Sequence, residues 1–332
     1  MSFSNCEELQ KILTGVQPFT SYAIASLGLY GLYKLCCYLV PGPHHQSRLQ
    51  VKDRTVLITG ASSGLGRALA FVFYQKGAKL ILTARSIDKL QELCTELETE
   101  GKKNGWNNDH KPEFRYLDLA ELSDDDQAQR QLDEIRSLAL NNGRIDVLVN
   151  NAGLTHRGTC TNTKVSIQKQ VMEVNHFGQI AVTKALYDHI PDDGAVVTIG
   201  SLQSRFAVPY RSAYSASKHA IQGYMDCLRS EGRPQLQILF VNVSYINTGF
   251  GSRALTYDGG KTNKEDYNQL RGYSPEYVAK HVVGALESRQ TELILAPFIQ
   301  RFAIIIRLFA PNLLFWFLHR RGQKLLEHEK VD

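Results

Sequence analysis

The sequence predicts an α/β fold built on a doubly wound parallel sheet, and three observations carry that prediction. Short apolar runs alternate with helix-length amphipathic segments from residue 54 to residue 296. A glycine-rich turn, "TGASSGLG" (59–66), follows the first run directly and opens the first helix. The third and fourth runs end in polar residues, Asp118 and "NNAG" (150–153), at the strand ends where open α/β sheets bind ligands.

Residues 1–18 read as a short N-terminal tail ahead of "SYAIASLGLYGLYKLCCYLV" (21–40). A helix over residues 19–40 would be roughly 33 Å long, against a hydrocarbon core of roughly 30 Å, so a transmembrane signal-anchor is expected. Lys34 lies near its end, from where it can snorkel to the headgroups. A cleaved signal peptide fits poorly, because no basic region adjoins the apolar run and the run is longer than usual for one. Residues 41–51, around "PGPHHQ", form a linker.

Residues 52–296 hold seven strand candidates. They are "RTVLITG" (54–60), "KLILTAR" (79–85), "FRYLDL" (114–119), "IDVLVNNAG" (145–153), "GAVVTIGS" (194–201), "QILFVNVS" (237–244) and "TELILA" (291–296). Helix-length segments such as 64–77 and 211–232 separate most of them, which makes this one Rossmann-type catalytic domain. The polar insert "GKKNGWNNDHK" (101–111) reads as a surface loop. Residues 297–332 are apolar again, but Arg301, Arg307 and Pro311 break "PFIQRFAIIIRLFAPNLLFWFLHRR" into halves too short to span. Two short helices lying in a membrane interface, with arginines reaching the headgroups, satisfy this pattern. A helix packed on the domain or on a second copy is the alternative, which leaves a homo-oligomer open.

Composition narrows the function. With 38 basic against 33 acidic residues, a net charge of +5 and no long basic run, nucleic-acid binding is not expected, and mild attraction to anionic lipid is. The six cysteines have neither metal-site spacing nor disulfide-scaffold density, so reduced thiols and no metal centre are expected. Cys36 and Cys37 adjoin the apolar helix and are either S-palmitoylation candidates or bystanders.

The glycine turn is suited to a dinucleotide. Gly60, Gly64 and Gly66 permit a tight turn and close backbone approach, with Ser62, Ser63 and Leu65 between them, while the helix start offers free N–H groups to a pyrophosphate. An acidic residue at the end of the second strand would hold the ribose 2′-hydroxyl of NAD; here that end is Arg85, suited to a 2′-phosphate, so NADP(H) is preferred over NAD(H). Asp118 and Leu119 are placed to flank adenine, and Asn151, Ala152 and Gly153 line the same crevice. Tyr214 and Lys218 of "YSASK" stand four apart, on one face of a helix. A phenol titrates near pH 10 unless a neighbouring ammonium lowers it, so Lys218 would tune Tyr214 as a general acid and hold the nicotinamide ribose. Ser201 would orient the substrate carbonyl beside Tyr214, and Asn175 would hold a water that relays protons to Lys218.

In their order and spacing, TGASSGLG, NNAG, Asn175, Ser201 and YSASK resemble the short-chain dehydrogenase/reductase family over roughly residues 52–296. The resemblance implies hydride transfer from a nicotinamide and a tetrad of Asn175, Ser201, Tyr214 and Lys218. Stretches such as "NNAGLTHRGT", "DCLRSE" and "RLFAPNLLF" are similar to a membrane-anchored subgroup associated with reduction of acyl- or alkyl-dihydroxyacetone phosphate. One departure stands out: the family's Pro-Gly after the sixth strand is replaced by Val243 and Ser244, ahead of Ile246 and Thr248, which should contact the nicotinamide amide. Losing Pro-Gly is expected to free that turn and leave cofactor binding retained but weaker. The sequon Asn242-Val243-Ser244 that results should stay unmodified at the end of a buried strand.

The expected function is therefore a membrane-anchored, NADP(H)-dependent oxidoreductase acting on a ketone of a lipid-like substrate. A hydroxysteroid or ketosphingoid reductase is the alternative within the class, and a non-catalytic NADPH-binding membrane scaffold the alternative outside it. A polar, glycine-bearing stretch over 249–274 would serve as the substrate lid. One basic residue before the apolar run against three closely behind it puts the domain in the cytosol, with a lumenal domain still open, at the endoplasmic reticulum or a peroxisomal membrane.

Overall fold

The structure is a computed structural model that describes residues 4–40, 42–106, 108–122, 125–141, 143–264 and 267–329, with most side chains between residues 20 and 324. Its centre is a seven-stranded sheet in the order β3-β2-β1-β4-β5-β6-β7. The strands are β1 (Thr55–Thr59), β2 (Lys79–Ala84), β3 (Glu113–Tyr116), β4 (Val147–Asn150), β5 (Ala195–Ile199), β6 (Gln237–Val243) and β7 (Glu292–Leu295). Every pairing is parallel. Helices cover both faces, which is why β1, β4, β5 and β6 are buried throughout and read as near-continuous apolar runs.

The helices are α1 (Ser4–Leu39), α2 (Gly64–Gln75), α3 (Ile87–Asn104), α4 (Asp125–Asn141), α5 (Val165–Met172), α6 (Gly178–Leu186), α7 (Ser212–Glu231), α8 (Tyr267–Leu270), α9 (Pro275–Glu287), α10 (Phe298–Phe309) and α11 (Pro311–Glu329). Strand side chains alternate between two cores. Val197 and Ile199 of β5 join Phe73, Leu93 and Val282 from α2, α3 and α9. Val196, just before them, joins Ile135, Val182 and Ile221 from α4, α6 and α7 on the other face. The strand order reverses between β1 and β4, and their carboxyl ends open the crevice that holds the site. At the opposite end, the buried Asp146 carboxylate accepts from the Thr55 amide at 2.8 Å and from Arg54 at 2.6 Å, tying β1 to the entry of β4.

Three expectations about the periphery change. The N-terminal helix begins at Ser4 rather than near residue 19. Among the described residues no helix is long and apolar enough to cross a membrane, so the spanning role expected of residues 19–40 has no support here. Tyrosine, serine, glycine and Lys34 dilute its apolar character. Its residues are exposed from Thr20 to Cys36, and the Cys37 side chain lies outside the described residues. The 101–111 insert is more than a loop. Its first residues finish α3, Trp106 packs edge-on against Phe71 and Tyr74, and the Asn108 amide donates to the carbonyls of Tyr74 and Ala78.

The C-terminal segment does form two helices broken at Pro311, but one face packs on the domain. Leu314 is buried with Leu202, Phe206 and Ala296, Gly322 accepts from the Tyr210 hydroxyl at 3.0 Å, and Arg321 donates to the Tyr245 hydroxyl at 3.1 Å. Of the two arginines, Arg301 donates to the Ala296 carbonyl at 2.9 Å and Arg307 lies over the Phe315 ring, and both are exposed.

Candidate active site and cofactor cleft

A cavity of about 680 Å³ occupies the carboxyl ends of the strands. Its nucleotide end begins at the turn after β1. Gly60 and Gly64 have φ of 66° and 57°, a left-handed backbone that disfavours other residues. Space excludes them as well, since a Cβ on Gly60 would lie 2.8 Å from the Ala152 Cα. Gly60, Ser62, Ser63, Gly64 and Leu65 line the cavity, whereas Gly66 does not. A Cβ on Gly66 would fall 2.3 Å from the Gly60 carbonyl oxygen, so this glycine lets α2 close onto its own turn.

Asn151, Ala152 and Gly153 line the cavity and also build it. The Asn151 side chain donates to the Thr59 and Gly60 carbonyls at 2.9 and 3.2 Å, and the Asn151 and Ala152 amides donate to the Thr59 hydroxyl. The end of β4 is thereby locked to the glycine turn. Arg85 follows β2, with its guanidinium 3.8 Å from the Asp118 carboxylate, and Asp118 and Leu119 complete that wall. Asp118 is also a helix cap, accepting from the Ala120 amide at 3.0 Å. Glycines that no side chain could replace, a helix start facing the cleft and an arginine beyond the end of β2 together fit a nicotinamide dinucleotide.

At the other end, Ser201, Tyr214 and Lys218 all line the cavity. Tyr214 and Lys218 project from one face of α7, with the Lys218 Nζ 5.8 Å from the phenol ring centroid and donating to the Ile199 carbonyl at 2.8 Å. The Ser201 hydroxyl accepts from the Gln203 amide at 3.1 Å, which fixes it as the cap of a short 3₁₀ turn after β5. Asn175 is fully buried behind this wall, in a π-helical turn (Glu173–Phe177) joining α5 to α6. Its amide bonds the Leu154 backbone twice, donating to the carbonyl and accepting from the amide, both at 2.7 Å, and donates to the Ser217 hydroxyl at 2.9 Å. Asn175 thus clamps the strand end beside Lys218, and its side-chain oxygen would lie 3.3 Å from a Cβ placed on Gly153.

Electrostatics here correct one expectation. Burial pushes the Tyr214 phenol up, and the groups that pull it back are the Ser201 hydroxyl and the charges of Arg211 and Arg157 rather than Lys218. Lys218 is itself pulled down, to about 8, because it is buried. Both groups sit in a dry wall in which charge is poorly solvated, which disfavours the phenolate of Tyr214 and the ammonium of Lys218 alike.

The turn that follows β6 is not freed by the loss of Pro-Gly. Val243 stays in register with Leu295, the Ser244 amide donates to the Leu295 carbonyl at 3.0 Å, and its hydroxyl donates to Gln300 of α10 at 2.5 Å. Ile246 bridges to Tyr273, and the Asn247 amide donates to the Tyr273 carbonyl at 2.9 Å. Ile246 and Thr248 face the cleft, and a Cβ on Gly64 would lie 3.0 Å from the Thr248 Cβ. Asn242, the sequon residue, is fully buried.

Sequence reasoning missed Phe250, Arg253, Gln300 and Arg321, all of which line the cavity. Phe250 meets Tyr214 edge-on with ring centroids 6.2 Å apart. These residues come from the stretch after β6 expected to serve as a lid and from the C-terminal helices, whose local patterns carry no catalytic spacing, so only the folded chain brings them to the site.

Cleft, turn and tetrad together define a nicotinamide-dependent oxidoreductase, and the chain belongs to the short-chain dehydrogenase family, whose model matches residues 54–256. Within that family it is 40% identical over 304 residues to dehydrogenase/reductase SDR family member 7B of Xenopus tropicalis, covering 91% of this chain and 94% of that one. Among solved structures, an alcohol dehydrogenase from the archaeon Thermococcus sibiricus, complexed with 5-hydroxy-NADP, is similar at 25% identity and a TM-score of 0.60, covering 74% of this chain and 96% of its own. A Burkholderia phymatum short-chain dehydrogenase/reductase in complex with NAD matches at 20% identity with a TM-score of 0.66, covering 80% of this chain and 96% of its own, and shows the shared fold alone. The protein is a dehydrogenase/reductase acting between alcohol and carbonyl with a nicotinamide dinucleotide.

Proposed function

We propose that this protein is an NADP(H)-dependent reductase of a ketone on a lipid-like substrate, working at a membrane surface, with acyl- or alkyl-dihydroxyacetone phosphate the first substrate to test. The observation that carries the reading is the sharing of one cavity between chemistry and the C-terminal helices. Gln300 of α10 and Arg321 of α11 line the same space as Ser201 and Tyr214, while α10 exposes Phe298, Ile299, Leu308 and Phe309 by 72–84%. An exposed apolar surface on a helix that also lines the site favours a substrate drawn from the bilayer. Arg85 at the end of β2, where an acidic residue would serve NAD, supports NADP(H). The apolar ends would lie in the membrane interface, at the endoplasmic reticulum or the peroxisome, with the catalytic domain on the cytosolic side.

A bound NADPH supplies the hydride. Ser201 would hold the carbonyl oxygen, and Tyr214 would hydrogen-bond the same oxygen and give up its proton as charge develops there. The Lys218 ammonium, once the dinucleotide is bound, would hold its ribose and stabilise the phenolate left on Tyr214. Asn175 keeps the Leu154 backbone fixed behind both. Purified protein with NADPH is expected to turn over long-chain ketones, and Tyr214→Phe to lower kcat by at least about 100-fold with cofactor binding intact. Equal rates in mutant and parent would sink the assignment. Binding of NADPH without turnover of dihydroxyacetone phosphate lipids, steroid ketones or ketosphingoid bases would mark a scaffold instead.

A further inference from the structure

Residues 249–264, the first part of the expected lid, reach the opposite end of the cleft from the chemistry. Arg253 Nη1 donates to the Ser63 hydroxyl at 2.9 Å across a separation of 190 residues. Ser63 is the N-cap of α2, yet its side chain makes no cap bond and is left to this arginine. Arg253, Ser63 and Arg85 line one cavity, and burial together with the Arg85 charge disfavours the Arg253 cation. The arginine is held there by its neighbours. The Leu255 amide donates to the Thr155 carbonyl at 2.9 Å, the Arg157 amide donates to the Leu255 carbonyl at 2.7 Å, and Ala254 is fully buried.

Two guanidinium groups and a hydroxyl line the space between the β1 turn and the end of β2, where the Asp118 carboxylate lies 3.8 Å from Arg85 alone, and a phosphate dianion there would offset the like charges of both arginines. In a doubly wound sheet that space receives the adenosine ribose, whose 2′ position is read by the residue at the end of β2. We propose that Arg253, carried on the lid, completes with Arg85 and Ser63 a binding site for the 2′-phosphate of NADP(H), so that the phosphorylated cofactor closes the lid and NAD(H) does not. This rests on the NADP(H) reading above and adds a residue and a consequence to it. Phe250, three residues before Arg253, packs on Tyr214, so the strap that grips the phosphate also shapes the substrate pocket.

The test is direct binding of NADPH and NADH, followed by cofactor fluorescence, in the parent, Arg253→Ala, Arg253→Lys and Arg85→Ala, together with limited proteolysis of the lid in the presence of NADP⁺ or NAD⁺. Arg253→Ala is expected to raise the NADPH Kd about tenfold or more and leave the NADH Kd within about twofold, with partial rescue by lysine. NADP⁺ should protect residues 249–274 in the parent and fail to do so in Arg253→Ala. If Arg85→Ala loses the NADPH preference while Arg253→Ala keeps parental binding and protection, the role of Arg253 is overturned and the NADP(H) reading stands. If the parent itself binds NADH as tightly as NADPH, that reading falls and the proposed site falls with it.

Discussion

Lys218 shows how a single residue trades stability for chemistry. Its folded value of about 8 lies below the roughly 10.4 of an unfolded lysine, so between those values the folded state binds fewer protons than the unfolded state. Stability therefore rises with pH across that window, and the full penalty is present below about pH 8. Lys218→Met removes the buried charge and also the bond to the Ile199 carbonyl. The net expectation for the cofactor-free protein at pH 7 is a gain of roughly 1–3 kcal/mol, shrinking towards pH 10, with activity lost. Thermal denaturation at pH 7 and pH 10 reads it, and a difference independent of pH would mean that Lys218 carries no buried charge at neutral pH. Sequence spacing placed this lysine beside Tyr214. It did not reveal that desolvation, not the lysine, dominates the phenol, because desolvation depends on what the whole pocket excludes.

The segment leaving β4 carries a comparable strain at the level of an element. His156 is fully buried, bridges to Leu255 of the lid, and has no hydrogen-bond partner on either ring nitrogen among the described residues. Burial, with Arg211 and Arg157 nearby, pulls it down to about 4. Between about 6.5 and about 4 the unfolded state binds the extra proton, so stability falls as pH drops through that window. His156→Phe should abolish that acid sensitivity: its melting temperature relative to the parent is expected to rise steadily from pH 6.5 to pH 4.5. A constant offset would show that other groups set the acid limit. The same element scale explains the turn after β6. A missing Pro-Gly predicts looseness when only the chain's own backbone is considered, but β7 and Gln300 of α10 supply the restraint from outside.

For the whole molecule, the question is whether the two apolar ends meet a bilayer. In α10 one side packs through Ala303 and Ile304 against the cluster around Leu202 and Phe206, leaving Leu308 and Phe309 73% and 84% exposed. Replacing both with glutamate should leave the melting temperature unchanged within about 1 °C, since neither supports the core. Partition onto anionic phosphatidylserine vesicles should fall at least about tenfold, each buried large side chain being worth roughly 1.5–3 kcal/mol. Unaltered flotation with those vesicles would remove α10 from any membrane contact.

Local spacing was enough to determine the alternation of strand and helix, the glycine turn, the Tyr214 and Lys218 pair and the break at Pro311, because each depends on residues close together in the chain. Only the tertiary structure decided the rest. Gly66 packs α2 onto the Gly60 carbonyl, Asn175 holds a backbone 21 residues away, and Arg253 meets Ser63 across 190. Those contacts arise from the parallel crossovers of the sheet, which bring distant segments to one end of the molecule. The sequence specifies the crossovers, but no local pattern within it spells out which side chains will face one another once they close.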